Sequence, residues 1–84
     1  MKKPIFTVFD NVAKQYMAPI FAEATDGVAI RNIQTTMENS EHMFAKHPQD
    51  YTLVRMGTLD EETGTIDQNT KGDVIELKVL TKGE

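Results

Sequence analysis

Cysteine is absent from this 84-residue chain, and so is tryptophan. Without cysteine there is no disulfide framework, no thiolate nucleophile and no Cys-ligated zinc or iron–sulfur centre, which agrees with a reducing compartment. Serine occurs once, at Ser40, without the glycines of a nucleophile elbow around it, and no Walker-type or dinucleotide glycine pattern is present. No apolar run approaches the ~18 residues of a membrane span. The opening Met1-Lys2-Lys3-Pro4 is basic, but the chain reaches Asp10 too soon for a secretory signal. His42 and His47 are the only histidines, five apart rather than the four that would stack them on one helical face. Asp60-Glu61-Glu62 lacks the alternating spacing of a calcium loop. These residues support no enzyme, no cofactor and no metal site, and the reading is of a soluble, cytosolic protein without membrane association.

Positive charge is also scarce. Nine Lys and Arg stand against thirteen Asp and Glu, a net charge of −4, which argues against coating nucleic acid by charge alone. The deficit is uneven. Residues 1–55 balance six basic against six acidic side chains, whereas residues 56–84 set three against seven and carry the whole excess. Residues 1–22 hold Lys2, Lys3 and Lys14 against Asp10 alone, so one end of the molecule is expected to be locally basic. The length fits one small domain spanning 1–84, with a thin stability margin that favours self-association.

Ile5-Phe6-Thr7-Val8-Phe9 is aromatic and β-branched and predicts a strand, followed by turn chemistry at Asp10-Asn11. Gln15 to Ala22 reads as its hairpin partner, confined by Pro19 to a sheet edge or a bulge. Thr25 or Asp26 is a plausible N-cap, and Ala29, Ile30, Ile33 and Met37 form an apolar stripe that predicts a helix over about 26–38. Ser40 to Phe44 allows one further turn, which Pro48 stops, and the histidines beside it are expected to face solvent. Tyr51–Leu59, Thr65–Asp67 and Val74–Leu80 read as strands, the last with Ile75, Leu77 and Val79 inward and Glu76 and Lys78 in water. Asp60–Gly64 forms a hairpin connection and Gln68–Asp73 a polar loop. The order β-β-α-β-β-β predicts an α+β domain, a small antiparallel sheet with one principal helix packed on it.

Four of the six aromatic residues, Phe6, Phe9, Tyr16 and Phe21, lie within sixteen positions, with Lys2, Lys3 and Lys14 close by in sequence. Exposed rings flanked by lysine are what an unpaired nucleic-acid strand requires: bases stack on the rings and ammonium groups hold phosphate. Strand aromatics also build cores, and alternation puts Phe6 and Phe9, like Tyr16 and Phe21, on opposite faces. At most half of the set can therefore be exposed together unless a bulge intervenes. These seven residues, with Arg31 on the polar side of the helix, are the candidate nucleic-acid contacts.

Several segments resemble a known family. They are Ile5–Asp10, Tyr16-Met17-Ala18-Pro19-Ile20-Phe21, Gly27–Arg31 and, above all, His47-Pro48-Gln49-Asp50-Tyr51-Thr52-Leu53 with Gly57-Thr58-Leu59-Asp60 and Thr63-Gly64. Over about residues 5–66 the chain resembles the small nonstructural protein of gokushoviruses, tailless microviruses with circular single-stranded DNA genomes. It departs from the usual form at Gln49, where an acid is common, and at Leu59, where an aromatic is common. The resemblance implies a DNA-binding role in producing or packaging single-stranded genomes in the cytoplasm of the bacterial host. It assigns no contact residue by residue.

The leading expectation is a non-catalytic protein that binds single-stranded DNA as a small homo-oligomer. The rival is a protein–protein adaptor for a phage or host replication or assembly factor, supported by the acidic C-terminal third and by sheet edges that can recruit a strand.

Overall fold

The computed structural model describes residues 1–80, so the last four positions of the expected 1–84 domain lie outside the described residues. Two long strands organise it. β1 (Lys2–Asp10) and β4 (Tyr51–Asp60) pair antiparallel along their whole lengths, from Lys2 opposite Asp60 to Asp10 opposite Tyr51. Short strands border them on both sides. β2 (Gln15–Tyr16) and β3 (Phe21–Ala22) share the outer edge of β1, while β5 (Ile66–Asp67) and β6 (Gly72–Glu76) share that of β4. The result is a six-stranded antiparallel sheet with one main helix, the expected α+β class.

The helix, α1 (Asp26–Met37), starts where the sequence places it. The Thr25 hydroxyl accepts from the Val28 amide at 3.2 Å. Its stripe faces the sheet: Ala29 and Ile33 are buried, with Ile30 and Met37 partly so. Phe6 and Val8 of β1, Tyr51 and Leu53 of β4, and Leu77 complete this core with Phe44, which a short second helix, α2 (Met43–Lys46), supplies. The Arg55 guanidinium joins sheet to helix, pairing with both carboxylate oxygens of Asp26 in the first turn of α1 and donating to the Thr70 carbonyl at 3.1 Å.

Three expectations need correction. The continuous strand expected over 15–22 is two separate strands, interrupted around the cis Ala18–Pro19 peptide, because a proline has no amide to extend the ladder. The last strand begins at Gly72 and ends at Glu76, and Leu77–Leu80 is a 3₁₀ turn. Side chains three apart then align, so Leu77 and Leu80 meet the core while Val79, expected inward, is 62% exposed. His42 is half-buried rather than solvent-facing. Its Nδ1 accepts from the Phe44 amide at 3.1 Å, capping α2, and its ring packs on Phe44.

The connections after β1 and β4 have one architecture. Asp10 Oδ1 accepts from the amides of Val12 and Ala13, and the Lys14 amide returns to the Asp10 carbonyl at 2.8 Å. Asp60 Oδ1 accepts from Glu62 and Thr63, and the Gly64 amide returns to the Asp60 carbonyl at 2.7 Å. In both, the fifth residue is left-handed: Gly64 at φ 76° and Lys14 at φ 62°.

Candidate nucleic-acid interface

Pairing register separates the two faces of the sheet. Phe6, Val8, Leu53 and Arg55 lie on the helix side, while Thr7, Phe9, Thr52 and Val54 lie on the other, with Tyr16 brought beside Phe9 by their pairing. A bulge between Arg55 and Gly57 leaves alternation along β1 undisturbed, so Lys3 and Ile5 also belong to this second face, away from the helices.

The candidate aromatics divide into two pairs on opposite faces. Phe6 and Phe21 stack at 5.8 Å between centroids on the helix side. Phe6 has no exposed surface and Phe21 is half-buried against the core. Phe6 is therefore corrected from a candidate contact to a core residue: on β1 it alternates in phase with Val8, toward α1. Phe9 and Tyr16 pack at 4.8 Å, tilted by 59°, on the face away from the helices, where Ile5, Thr7, Thr52 and Val54 are buried, Phe9 is half-buried and Tyr16 is 50% exposed. Among the ring pairs of the described residues it is the one with a member in the exposed class, since Phe21 and His42 in the other pairs are half-buried like Phe9.

The candidate cations scatter. Lys2 and Lys3 start β1 and Lys14 lies beyond its end, roughly 25 Å away along a nine-residue strand. Lys3 pairs with Glu61 at 3.3 Å, and Lys2 lies opposite Asp60, whose carboxyl is held below its ordinary pKa by the Glu62 amide, with Lys2 adding a smaller attraction. The expected basic end is thereby divided and half neutralised, because the acidic turn 60–62 closes over the start of β1. Arg31 is exposed on α1, on the opposite side of the sheet from Tyr16. Of the candidate cations, only Lys14 is close to the exposed aromatic pair in the chain, in the turn two residues before Tyr16.

A further cation stands there that sequence reasoning left in a polar loop. Lys71 Nζ lies over the Tyr16 ring, 5.4 Å from its centroid. The 3₁₀ turn Gln68–Thr70 delivers it: the Lys71 amide donates to the Gln68 carbonyl at 3.1 Å, and the next residue, Gly72, pairs with Arg55. Since Arg55 faces the helix, Lys71, one position earlier, faces the other way, toward Tyr16. A cation–π contact at an exposed site contributes about 0.5–1 kcal/mol, less than the roughly 1–3 kcal/mol of a base stacked on an aromatic side chain. Fifty-five positions separate the two residues, and only the sheet register brings them together. Acidic groups bound the site, since Asp73 and Glu76 lie opposite Val54 and Thr52 on the same face.

Two pockets accompany these elements. One, of about 300 Å³, opens between the Met17–Phe21 segment and the two helices, lined by Met17, Pro19, Thr36, His42 and Met43 among others. The other, of about 650 Å³, is rich in hydroxyls, from Thr58, Thr63, Thr65 and Thr70, beside Lys2, Asp60 and Asp67. No group of three or more acidic, histidine or cysteine side chains among the described residues converges as a metal site. Burial, with smaller contributions from Asp10 and Asp50, pushes the Tyr51 phenol above its ordinary pKa of 10.0; its hydroxyl contacts Met43 Sδ.

A protein-family model described as phage ORF5 protein matches residues 3–79. No curated protein and no solved structure matches.

Proposed function

The chain belongs to the phage ORF5 protein family, and from that premise we propose that this bacteriophage protein binds single-stranded DNA without catalysing a reaction on it, at the exposed Tyr16 edge of the sheet face away from the helices. The observation that carries the reading is the Phe9–Tyr16 pair, half-exposed at Tyr16 and accompanied by Lys14 and Lys71. Rings supply sequence-tolerant stacking and lysines supply phosphate contacts. The backbone at Lys14 supports it, because a lysine occupies the left-handed position that glycine fills in the matching turn and such strain collects at functional sites.

The resemblance to the gokushovirus nonstructural protein supplies the setting: production or packaging of single-stranded genomes in the host cytoplasm, by a homo-oligomer that repeats the small cationic site along one strand. Among the described residues no helix is long and apolar enough to cross a membrane. An adaptor role would instead use the pocket beside Pro19, where Ile20 and Met43 are exposed.

Titration of labelled single-stranded and duplex oligonucleotides with the purified protein, at low and moderate salt, tests the reading. Preferential binding to single strands that weakens with salt is expected. Absence of binding at tens of micromolar, with the fold intact by circular dichroism, overturns it in favour of the adaptor.

A further inference from the structure

Tyr16 already carries a ligand-like group, the Lys71 ammonium from the opposite edge of the sheet. We infer that Tyr16 and Lys71 form a single-nucleotide subsite: an unpaired base takes the place of the ammonium over the ring, and the displaced ammonium pairs with the adjoining phosphate. This inference rests on the single-stranded DNA reading and adds to it a residue, a movement and an order of events.

The surroundings of the two side chains carry the argument. Lys3, Lys46 and Lys78 all contact carboxylates, Glu61, Glu41 and Glu76 respectively. Lys71 is held by a neutral ring instead. Leaving that ring for a phosphate breaks no ion pair among the described residues, and it exchanges a quadrupole for a full negative charge. The Lys71 backbone is fixed on both sides, by the 3₁₀ turn before it and by the Gly72–Arg55 pairing after it, so the movement is confined to the four-carbon stem. Tyr16 is braced by Phe9 at 4.8 Å and so presents a positioned ring. In the unbound protein the ammonium lies over a ring that is still half-exposed, and a base of any identity can replace it, since every base has a π-face.

The chain contains two tyrosines and no tryptophan, which makes the subsite directly observable. In a Tyr51→Phe background Tyr16 is the sole emitter, and titration with oligo(dT) is expected to quench its fluorescence in parallel with binding. Lys71→Ala is expected to weaken binding about tenfold at low salt and to flatten the slope of log K against log salt by about 0.7, the loss of one single-strand phosphate contact. Tyr16→Ala is expected to weaken binding comparably, with Tyr16→Phe near the parent, and Lys71→Ala is expected to cost less in the Tyr16→Ala background, because the two act as one site. The substituted forms are compared by anisotropy of a labelled oligonucleotide, which needs no tyrosine and serves equally should Tyr51→Phe weaken the fold. Binding that persists with Tyr16 unquenched, or with affinity and salt slope unchanged in Lys71→Ala, overturns the subsite while leaving the single-stranded DNA reading standing. No binding by the parent protein overturns both.

Discussion

Lys14 occupies a backbone position that glycine fills elsewhere in the same molecule. The turns after Asp10 and Asp60 share their aspartate-to-amide bonds and their closing bond, and differ at the left-handed residue, Lys14 in one and Gly64 in the other. A side chain there costs about 1–2 kcal/mol through the clash of Cβ with the following carbonyl. Glycine removes that clash but loses roughly 0.5–1 kcal/mol in chain entropy on folding. Lys14→Gly should therefore raise stability by about 0 to 1.5 kcal/mol in urea unfolding, while reducing affinity for single-stranded DNA. Lower stability would show that Lys14 makes contacts that outweigh its strain; unchanged affinity would remove it from the site. The sequence identified this lysine and the neighbouring Phe9 and Tyr16, and alternation alone already divided Phe6 from Phe9. It could not say which of the two faces the helix covers, nor that Lys71 crosses the sheet to Tyr16, because both depend on pairings between residues distant in the chain.

Among elements, the long strands and the helix were legible, and so was β5, expected over Thr65–Asp67 and found at Ile66–Asp67, whereas β2 and β3 were read as one continuous strand. β1 has a strong β-forming composition and α1 a four-residue apolar stripe with a cap, so local preference and tertiary packing agree. Two-residue strands such as β2 and β3 have too few residues to show a period, and they exist because a long neighbour offers them a ladder; β5 was readable only from the hairpin connection before it. The brevity of these strands has a consequence: each outer edge is interrupted, at Pro19 on one side and at the Gln68–Thr70 turn on the other, leaving no long template for a partner strand among the described residues. This weakens strand addition as an adaptor mechanism. The residues that carry the family resemblance prove largely architectural. Pro48 opens the corner into β4, the Asp50 carbonyl accepts from the Asn11 amide at 2.8 Å, Asp60 organises its turn, and Gly57 lets β5 approach. At Gly57, φ is 153° and a Cβ would lie 2.6 Å from the Asp67 carbonyl oxygen. Gly57→Ala should therefore detach β5 or displace β4, costing about 1–3 kcal/mol, with hydrogen exchange rising first at Asp60 and in the 66–67 segment. Exchange and stability equal to the parent would mean that β5 docks without needing that close approach.

At the scale of the whole molecule the charge is unfavourable, since a net −4 repels phosphate at long range. Screening confines that repulsion to about 8–10 Å at physiological salt, so contact is decided by the groups beside the strand, Lys14 and Lys71. Each single-strand phosphate contact contributes about −0.7 to the slope of log K against log salt, so two lysines on one protomer give about −1.4 and two protomers on one strand about −2.8. The slope thus counts protomers as well as lysines. If the protein acts as the proposed homo-oligomer, an oligonucleotide long enough to span two Tyr16–Lys71 sites should give the steeper value, with sedimentation showing more than one protomer per strand. The combined Lys14→Gly and Lys71→Ala substitutions should then bring the slope close to zero while the folded state persists. A slope that stays steep in that double variant would move the phosphate track to the helical side of the sheet, where Arg31 and Lys46 lie, and with it the surface on which the DNA is held.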